Sequence, residues 1–346
     1  MEIVQGSAHT IFPMDDPSRV GSARRHAIKL ATGLAFSDVN AARLALVVTE
    51  LGTNLVKHAR GGRLLIASRE HEEAQGERDI RHVEIEVLSI DGGPGITNLT
   101  QCMGDGFSTG GSPGTGLGAI KRLADEFDIW SAAPGGTFVV ARVRAGTTER
   151  RPSAFRLGVV CMAKHGEETC GDGWIFASDG AQAAVLLADG LGHGPEAAAA
   201  SRAALSVFRQ KPFERLEPML TTAHSALRMT RGAAVSAAHL DAHASSVRSV
   251  GAGNVMMRIV SGVSDRTLLG QHGTVGVQMR TPVAIDTPWP RHAVLGIHSD
   301  GIMNRWPGKD LGTMLACDPS LMAGRIARDY CRDRDDATIA FVRRKD

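Results

Sequence analysis

The sequence predicts two α/β (α+β) domains in tandem. The first is an α/β sandwich, one mixed sheet with helices on one face; the second is an α-β-β-α sandwich. Three observations carry this. In the first half, two amphipathic helical stretches precede a group of β-rich runs. In the second half, many short strands run in antiparallel order with two helices in their middle, the pattern of two packed sheets flanked by helices. Between the halves, the stretch around 145–153 is polar, lacks hydrophobic periodicity and contains Pro152. The expected division is therefore 1–145, a linker at 146–154, and 155–346.

In the first half, residues 17–33 and 37–59 have helical patterning. Asp16 or Ser18 can cap the first helix and Ser37 the second. Two β-rich runs follow at 63–68 and 82–90, and the second alternates, with Val83, Ile85 and Val87 on one face. The charged stretch 70–81 between them reads as a hairpin loop. A Gly-rich loop over 91–116 opens a helix at 117–127, and strands at 127–131 and 137–143 complete the unit.

In the second half, strands are expected at 155–163, 173–178 and 183–188, then helices at 194–208 and 213–228. Strands return at 233–240, 245–251 and 255–260. A strand at 293–299, a helix at 319–332 and a strand at 337–343 close the chain.

Composition narrows the function classes. The 346 residues suffice for two ordinary domains, with 43% hydrophobic and 22% charged residues. A net charge of +2 and 4% aromatics argue against a nucleic-acid partner. No apolar run is long enough to span a membrane, and no signal peptide is evident, so no membrane role is expected. Cys102, Cys161, Cys170, Cys317 and Cys331 form no Cys-x-x-Cys pair. They read as free thiols of a cytoplasmic protein.

Two groups of residues carry chemistry. On the helix 37–59, Glu50, Asn54 and His58 recur every four residues and share one stripe. A carboxylate and an amide one turn apart can hold magnesium and a water beside phosphates, although such a stripe is more often a solvated face. Asp91-Gly92-Gly93-Pro94-Gly95 follows directly on a strand. Its carboxylate can accept an adenine amino proton; a tight turn is the plainer alternative. The glycine-rich stretch 110–118 offers backbone amides to phosphates at a helix start. Thr137 introduces the last strand pair. In the second half, Asp172, Asp189, Asp300 and Asp335 stand at breaks in apolar strands, each in an Asp-Gly or Asp-Asp step. One Asp-Gly step is usually a β-turn. Several can converge into an oxygen-only site suited to two magnesium or manganese ions, which position a water for in-line attack on phosphorus.

The set Glu50–Asn54, Asp91–Gly95, Asp105–Thr109, Gly114–Gly118 and Gly135–Thr137 resembles the GHKL ATPases and kinases, and within them the RsbT- and RsbW-type switch serine kinases. The resemblance implies ATP with Mg2+ and protein serine/threonine kinase activity. It implies Glu50 as base and Asn54 as metal ligand. Asp91, Gly95 and Thr137 would lie at the nucleotide, with Gly114, Gly116 and Gly118 at its phosphates. The second half, with Ala188-Asp189-Gly190-Leu191-Gly192-His193-Gly194-Pro195 as the most specific run, resembles PPM-type Ser/Thr phosphatases in their SpoIIE- and RsbX-like form. That implies Asp172, Asp189, Asp300, Asp335 and the Gly190 carbonyl around two Mn2+ or Mg2+ ions. Asp336 is an alternative in the Asp-Asp pair, His193 is a candidate proton donor, and Arg156 or Lys164 a candidate phosphate grip. Together the resemblances imply a bifunctional partner-switching regulator acting on a STAS-type antagonist or scaffold protein. A sigma factor and a second copy of the chain are further candidate partners. The alternatives are an ATP-binding, sigma-factor- or partner-capturing switch with a regulatory phosphatase domain, and a phosphatase whose ATP domain senses nucleotide.

Overall fold

The computed structural model describes residues 1–75, 78–103, 116–146 and 152–345. Compact packing divides the chain into two units. One comprises His9–Glu70 and Arg81–Arg150; the other comprises Met1–Ala8, His71–Ile80 and Arg151–Asp346. Most of the expected linker, 147–151, lies outside the described residues.

After β1 (Glu2–Gly6), the chain runs through β2 (Thr10–Pro13), α1 (Pro17–Gly33), α2 (Asp38–His58), β3 (Arg63–Gln75), β4 (Arg78–Ile90), a single turn α3 (Leu99–Cys102), α4 (Leu117–Leu123), β5 (Glu126–Ala132) and β6 (Gly136–Arg144). In the first unit these strands are ordered β2-β3-β4-β6-β5. The β2–β3, β4–β6 and β5–β6 ladders are antiparallel. Asp16 caps α1 through Ser18 N, and Ser37 caps α2 through Asn40 N. Ala23, Ala27 and Ala31 of α1 and Leu44, Val47, Val48, Leu51 and Leu55 of α2 form one core with Ile66, Ile85, Val87, Val139, Ala141 and Val143. The helices thus cover one sheet face, and period-2 alternation sends Glu84 and Glu86 to the other.

That other face is built on charge. Glu86 is 0% exposed and accepts from Arg69 Nη2 at 2.9 Å and Arg142 Nε at 2.8 Å. His9 Nε2 lies 3.5 Å away. Burial alone would raise the Glu86 carboxyl. Arg69 and Arg142 outweigh it and hold the group well below the ordinary carboxylate range.

Two expectations in this half change. Residues 70–75 and 78–81 extend the two strands instead of forming a loop. His71 and Glu73 are buried, and Ala74 N donates to Met1 O at 3.0 Å. The helix expected over 117–127 stops at Leu123, where Arg43 Nε takes the Leu123 carbonyl, and β5 begins at Glu126. β1 and β2, with no sequence expectation, pair with distant strands.

The second unit continues with β7 (Phe155–Met162), β8 (Asp172–Asp179), β9 (Gln182–Gly190), α5 (Pro195–Gln210), α6 (Leu216–Ala226), β10 (Ala233–Asp241), β11 (Ser246–Ala252), β12 (Met256–Val260), β13 (Asp265–Leu268), β14 (Gly273–Thr274), β15 (Gln278–Met279), β16 (Ile285–Pro288), β17 (Val294–His298), α7 (Pro319–Tyr330) and β18 (Ala337–Arg344). One sheet has the order β16-β11-β10-β9-β8-β1 and the other β13-β12-β17-β18-β7. Trp174, Phe176, Val185 and Leu187 meet Met257, Ile259, Leu295, Ile297 and Val342 between the sheets. On the far side of the first sheet, Ile175, Ala177 and Leu186 pack on Ala200, Ala204 and Phe208 of α5 and on Leu216 and Leu220 of α6. α7 covers the second sheet, so close that a Cβ at Gly158 would lie 1.9 Å from Ser320 N. This is the α-β-β-α sandwich. β1 is part of it, with Ile3 in the helix-side core and Val4 in the inter-sheet core.

Replacing Glu86 with Ala removes the shared carboxylate of two buried guanidiniums. It is expected to destabilise the protein by about 3–5 kcal/mol, measured as a lowered midpoint in urea unfolding. An unchanged midpoint would show that the cluster contributes no stability.

Candidate nucleotide and metal sites

In the first unit, α2 sets Glu50 and Asn54 one turn apart at the edge of a cavity of about 710 Å3. Its lining includes Glu50, Asn54, Asp91, Gly95, Gly116 and Thr137, so six of the sequence-derived positions come together. Gly118 lies inside α4 and is not among the lining residues. Gly114 and the 105–109 run fall outside the described residues.

Asp91 follows β4 and is buried. Its Oδ1 accepts from Gly93 N at 2.6 Å and its Oδ2 from Thr137 N at 3.2 Å, while Asp91 N donates to Thr137 O at 3.1 Å. Two amide donors fix the plane of the carboxylate. Gly95 has φ +78°, and a Cβ there would stand 2.1 Å from Ala132 O. Only glycine lets the loop lie against β5 at this point. Ser131, absent from the sequence reading, ties the floor together. Its Oγ accepts from Ile96 N at 2.8 Å and meets Thr137 Oγ1 at 2.9 Å. Ser89, Lys57 and His58 also line the cavity. The four-residue spacing on α2 already carried His58; the others have no local signature.

In the second unit, the antiparallel β8–β9 ladder sets Asp172 directly opposite Asp189. Asp300 follows β17 and Asp335 precedes β18, neighbouring strands of the other sheet. Burial, then the charges of Asp172, Asp300 and Asp335, raise the Asp189 carboxyl. Burial raises Asp172 as well, against a hydrogen bond from Ser299, and burial with Asp335 raises Asp300. The four carboxylates therefore sense one another. Among the described residues, no three acidic, histidine or cysteine side chains already stand around one ligating point. The fit to a cation rests on Asp172 Oδ1, which is buried with no hydrogen-bond partner, and on the unmatched negative charge around it. Hard divalent cations take such carboxylate oxygens.

The glycines beside these aspartates have a steric reason. A Cβ at Gly190 would lie 2.0 Å from Ala197 O on α5, and one at Gly301 2.0 Å from Asp336 O. Asp336 is buried and clips the backbone, accepting from Lys164 N and Gly171 N, each at 2.9 Å. Asp335 is half-buried, with Oδ1 accepting from Asp336 N at 2.9 Å. Both members act on the acidic group, Asp336 on Asp172 and Asp335 on Asp189, and Asp336 also closes the fold through the two backbone amides. His193 Nδ1 lies 2.7 Å from Glu167 Oε1. Arg156 pairs with Arg343 in the β7–β18 ladder, six residues along the strand from Met162, which pairs with Ala337 beside the acidic end. That is about 20 Å, too far for a phosphate grip. Lys164 is at the correct end. Ser299 and Asn254, which donate to Asp172 and Asp300, had no part in the sequence reading. Ser299 directly precedes Asp300-Gly301, but its partner is far away in the chain.

Residues 14–143 match the histidine kinase-like ATPase domain family, and residues 179–345 match the stage II sporulation protein E (SpoIIE) family. Over 120 residues the chain is 35% identical to the serine/threonine-protein kinase RsbT of Bacillus subtilis (strain 168), covering 35% of this chain and 84% of that relative. A solved structure from work on the bacterial stressosome, described as a modular system adapted to control secondary messenger signalling, aligns with TM-score 0.52 and 25% identity. It covers 55% of this chain and 99% of its own. RsbX in complex with magnesium aligns with TM-score 0.48 and 22% identity over 57% of this chain and 99% of that one. A cavity that gathers Glu50, Asn54 and Asp91 and a strand-end carboxylate group thus coincide with two matched families, and the chain belongs to the RsbT-like, GHKL-type switch serine kinases, fused here to a SpoIIE-type PPM phosphatase domain.

Proposed function

We propose that the chain is a bifunctional partner-switching regulator. The unit of His9–Glu70 and Arg81–Arg150 would phosphorylate a serine or threonine of a STAS-type antagonist or scaffold protein, and the unit that contains 155–346 would remove phosphate from the same or a related protein. The observation that carries this reading is the presence of two distinct sites in one chain, a nucleotide-sized cavity with Glu50 at its edge and a desolvated group of carboxylates. No helix among the described residues is long and apolar enough to cross a membrane, and a cytoplasmic setting suits the proposed partners.

In the kinase site, Asp91 accepts the adenine amino proton, and Gly116 brings backbone to the phosphates at the start of α4. Asn54 would hold Mg2+, and Glu50 would take the proton of the attacking hydroxyl. In the phosphatase site, Asp172, Asp189, Asp300 and Asp335, with the Gly190 carbonyl, would hold two Mn2+ or Mg2+ ions. When bound, these ions supply an activated water and charge stabilisation for in-line attack.

Glu50→Ala is expected to keep ATP affinity while phosphoryl transfer from radiolabelled ATP to a copurified partner falls about 10²–10⁴-fold. Transfer at the parental rate would remove Glu50 from the chemistry. Asp189→Ala and Asp300→Ala are each expected to abolish p-nitrophenyl phosphate hydrolysis while ATP binding persists, and EDTA should silence the parent protein. Hydrolysis that survives EDTA would overturn the assignment.

The metal-free protein should also respond to pH. Asp172, Asp189 and Asp300 are raised in the fold, whereas the unfolded chain titrates them near pH 4. Above that range the native state binds more protons than the unfolded state. The stability contributed by these groups is fully present below about pH 4 and is lost as pH rises through the raised native values. Thermal melts in chelator should therefore show Tm falling from pH 5 to 8, with added manganese restoring most of the loss. A metal-free Tm that climbs across this range contradicts the account.

A further inference from the structure

We propose that Ser299 and Asn254 are positioning residues of the metal centre, each holding one oxygen of a ligand carboxylate so that the other is presented to the cation. The inference rests on the phosphatase reading above.

Ser299 is 0% exposed, directly after β17. Its backbone exchanges a hydrogen bond with β18, Ser299 N donating to Thr338 O at 3.0 Å. Its Oγ accepts from Thr338 N at 2.9 Å. An amide nitrogen can only donate, so the hydroxyl proton of Ser299 is left to donate elsewhere. It does so to Asp172 Oδ2, at 2.7 Å. One side chain therefore joins β8, β17 and β18, and it fixes the two ends of Asp172 unequally. Oδ2 is engaged, while Oδ1 is the buried oxygen left without a partner.

Asn254 repeats the arrangement from the protein surface. It is exposed, in the turn between β11 and β12. Its Nδ2 donates to Asp300 Oδ2 at 2.6 Å. The turn is pinned from behind. Gly253 has φ +103°, and a Cβ there would meet Ala234 Cβ at 2.5 Å, while Ala234 pairs with Asp189 across β9–β10. Gly253 N also donates to Gln271 O at 2.9 Å. The amide is thus offered to Asp300 from backbone anchored on β10, the strand that pairs with the one carrying Asp189.

A carboxylate held by one oxygen has lost its side-chain rotation before a cation arrives, so less ordering remains at binding. Donors of this kind, when removed, lower metal affinity about 10–100-fold in other sites. The test is calorimetric titration of the full chain with Mn2+, with a metal-free thermal melt of each variant. Asn254→Ala, at an exposed turn, should melt like the parent without metal yet bind Mn2+ about tenfold more weakly or worse, with a smaller Mn2+-induced rise in Tm. Ser299→Ala should weaken binding at least as much. If Ser299→Ala does not fold, Ser299→Cys keeps a weak donor in similar volume and should give an intermediate loss. Mn2+ affinity of Asn254→Ala and of the folded Ser299 variant within twofold of the parent would overturn the proposal. A parent that binds no Mn2+ would instead overturn the phosphatase reading on which it stands.

Discussion

The second unit is organised around keeping like charges together. Asp172 and Asp189 face one another in a ladder, and Asp300 and Asp335 raise the same site's charge from the other sheet. Such a group is unfavourable in itself. It persists because its positions are set by backbone pairing and a core that extends far from it, from Trp174 to Val342. The glycines next to Asp189 and Asp300 remove the Cβ atoms that would push α5 and β18 away. Strand pairing, sheet packing and helix approach therefore all converge on a place that costs stability locally, the usual relation between scaffold and site.

Two of the buried acidic centres among the described residues show how to tell structure from function. Glu86 and Asp189 are both desolvated carboxyls, yet they shift in opposite directions. Arg69 and Arg142 match Glu86, so it is a finished interaction. Asp189 sees chiefly other carboxylates. An unmatched buried charge calls for something the polypeptide does not supply, and this makes the aspartate group a functional candidate on physical grounds alone.

What was legible in the sequence was local. The 3.6-residue period placed α1 at Pro17–Gly33 to the residue, and Ser37 caps α2 as its position implied. Glu50 and Asn54 share a face because four residues make about one turn. The charged 70–81 stretch looked like a loop because its strand character comes from pairing with distant partners, among them Glu2, whose Oε1 meets His71 Nδ1 at 2.9 Å. The helix after Leu117 was expected too long because nothing local announces that Arg43, on α2, takes the Leu123 carbonyl. Likewise the Asp335-Asp336 pair could not be resolved from sequence. The amides of Lys164 and Gly171 that occupy Asp336 come from more than 160 positions away.

β1 carries a consequence for how the molecule is made. Glu2 pairs with Ser178 and Val4 with Phe176, while Ile3 and Val4 enter both cores of the second unit. During synthesis the first strand leaves the ribosome long before its partner exists. Its apolar side chains and open amide edge wait through the translation of every residue up to β8, and at ordinary elongation rates of about 5–20 residues per second that is on the order of ten to thirty seconds. Long-range pairing of this kind is slow to nucleate, and an unpaired edge is a template for association with other nascent chains. The aspartate at the start of β8 thus sits on a strand that gains β1 as a neighbour only after all the intervening chain is made, and the maturation of the site waits on that closure.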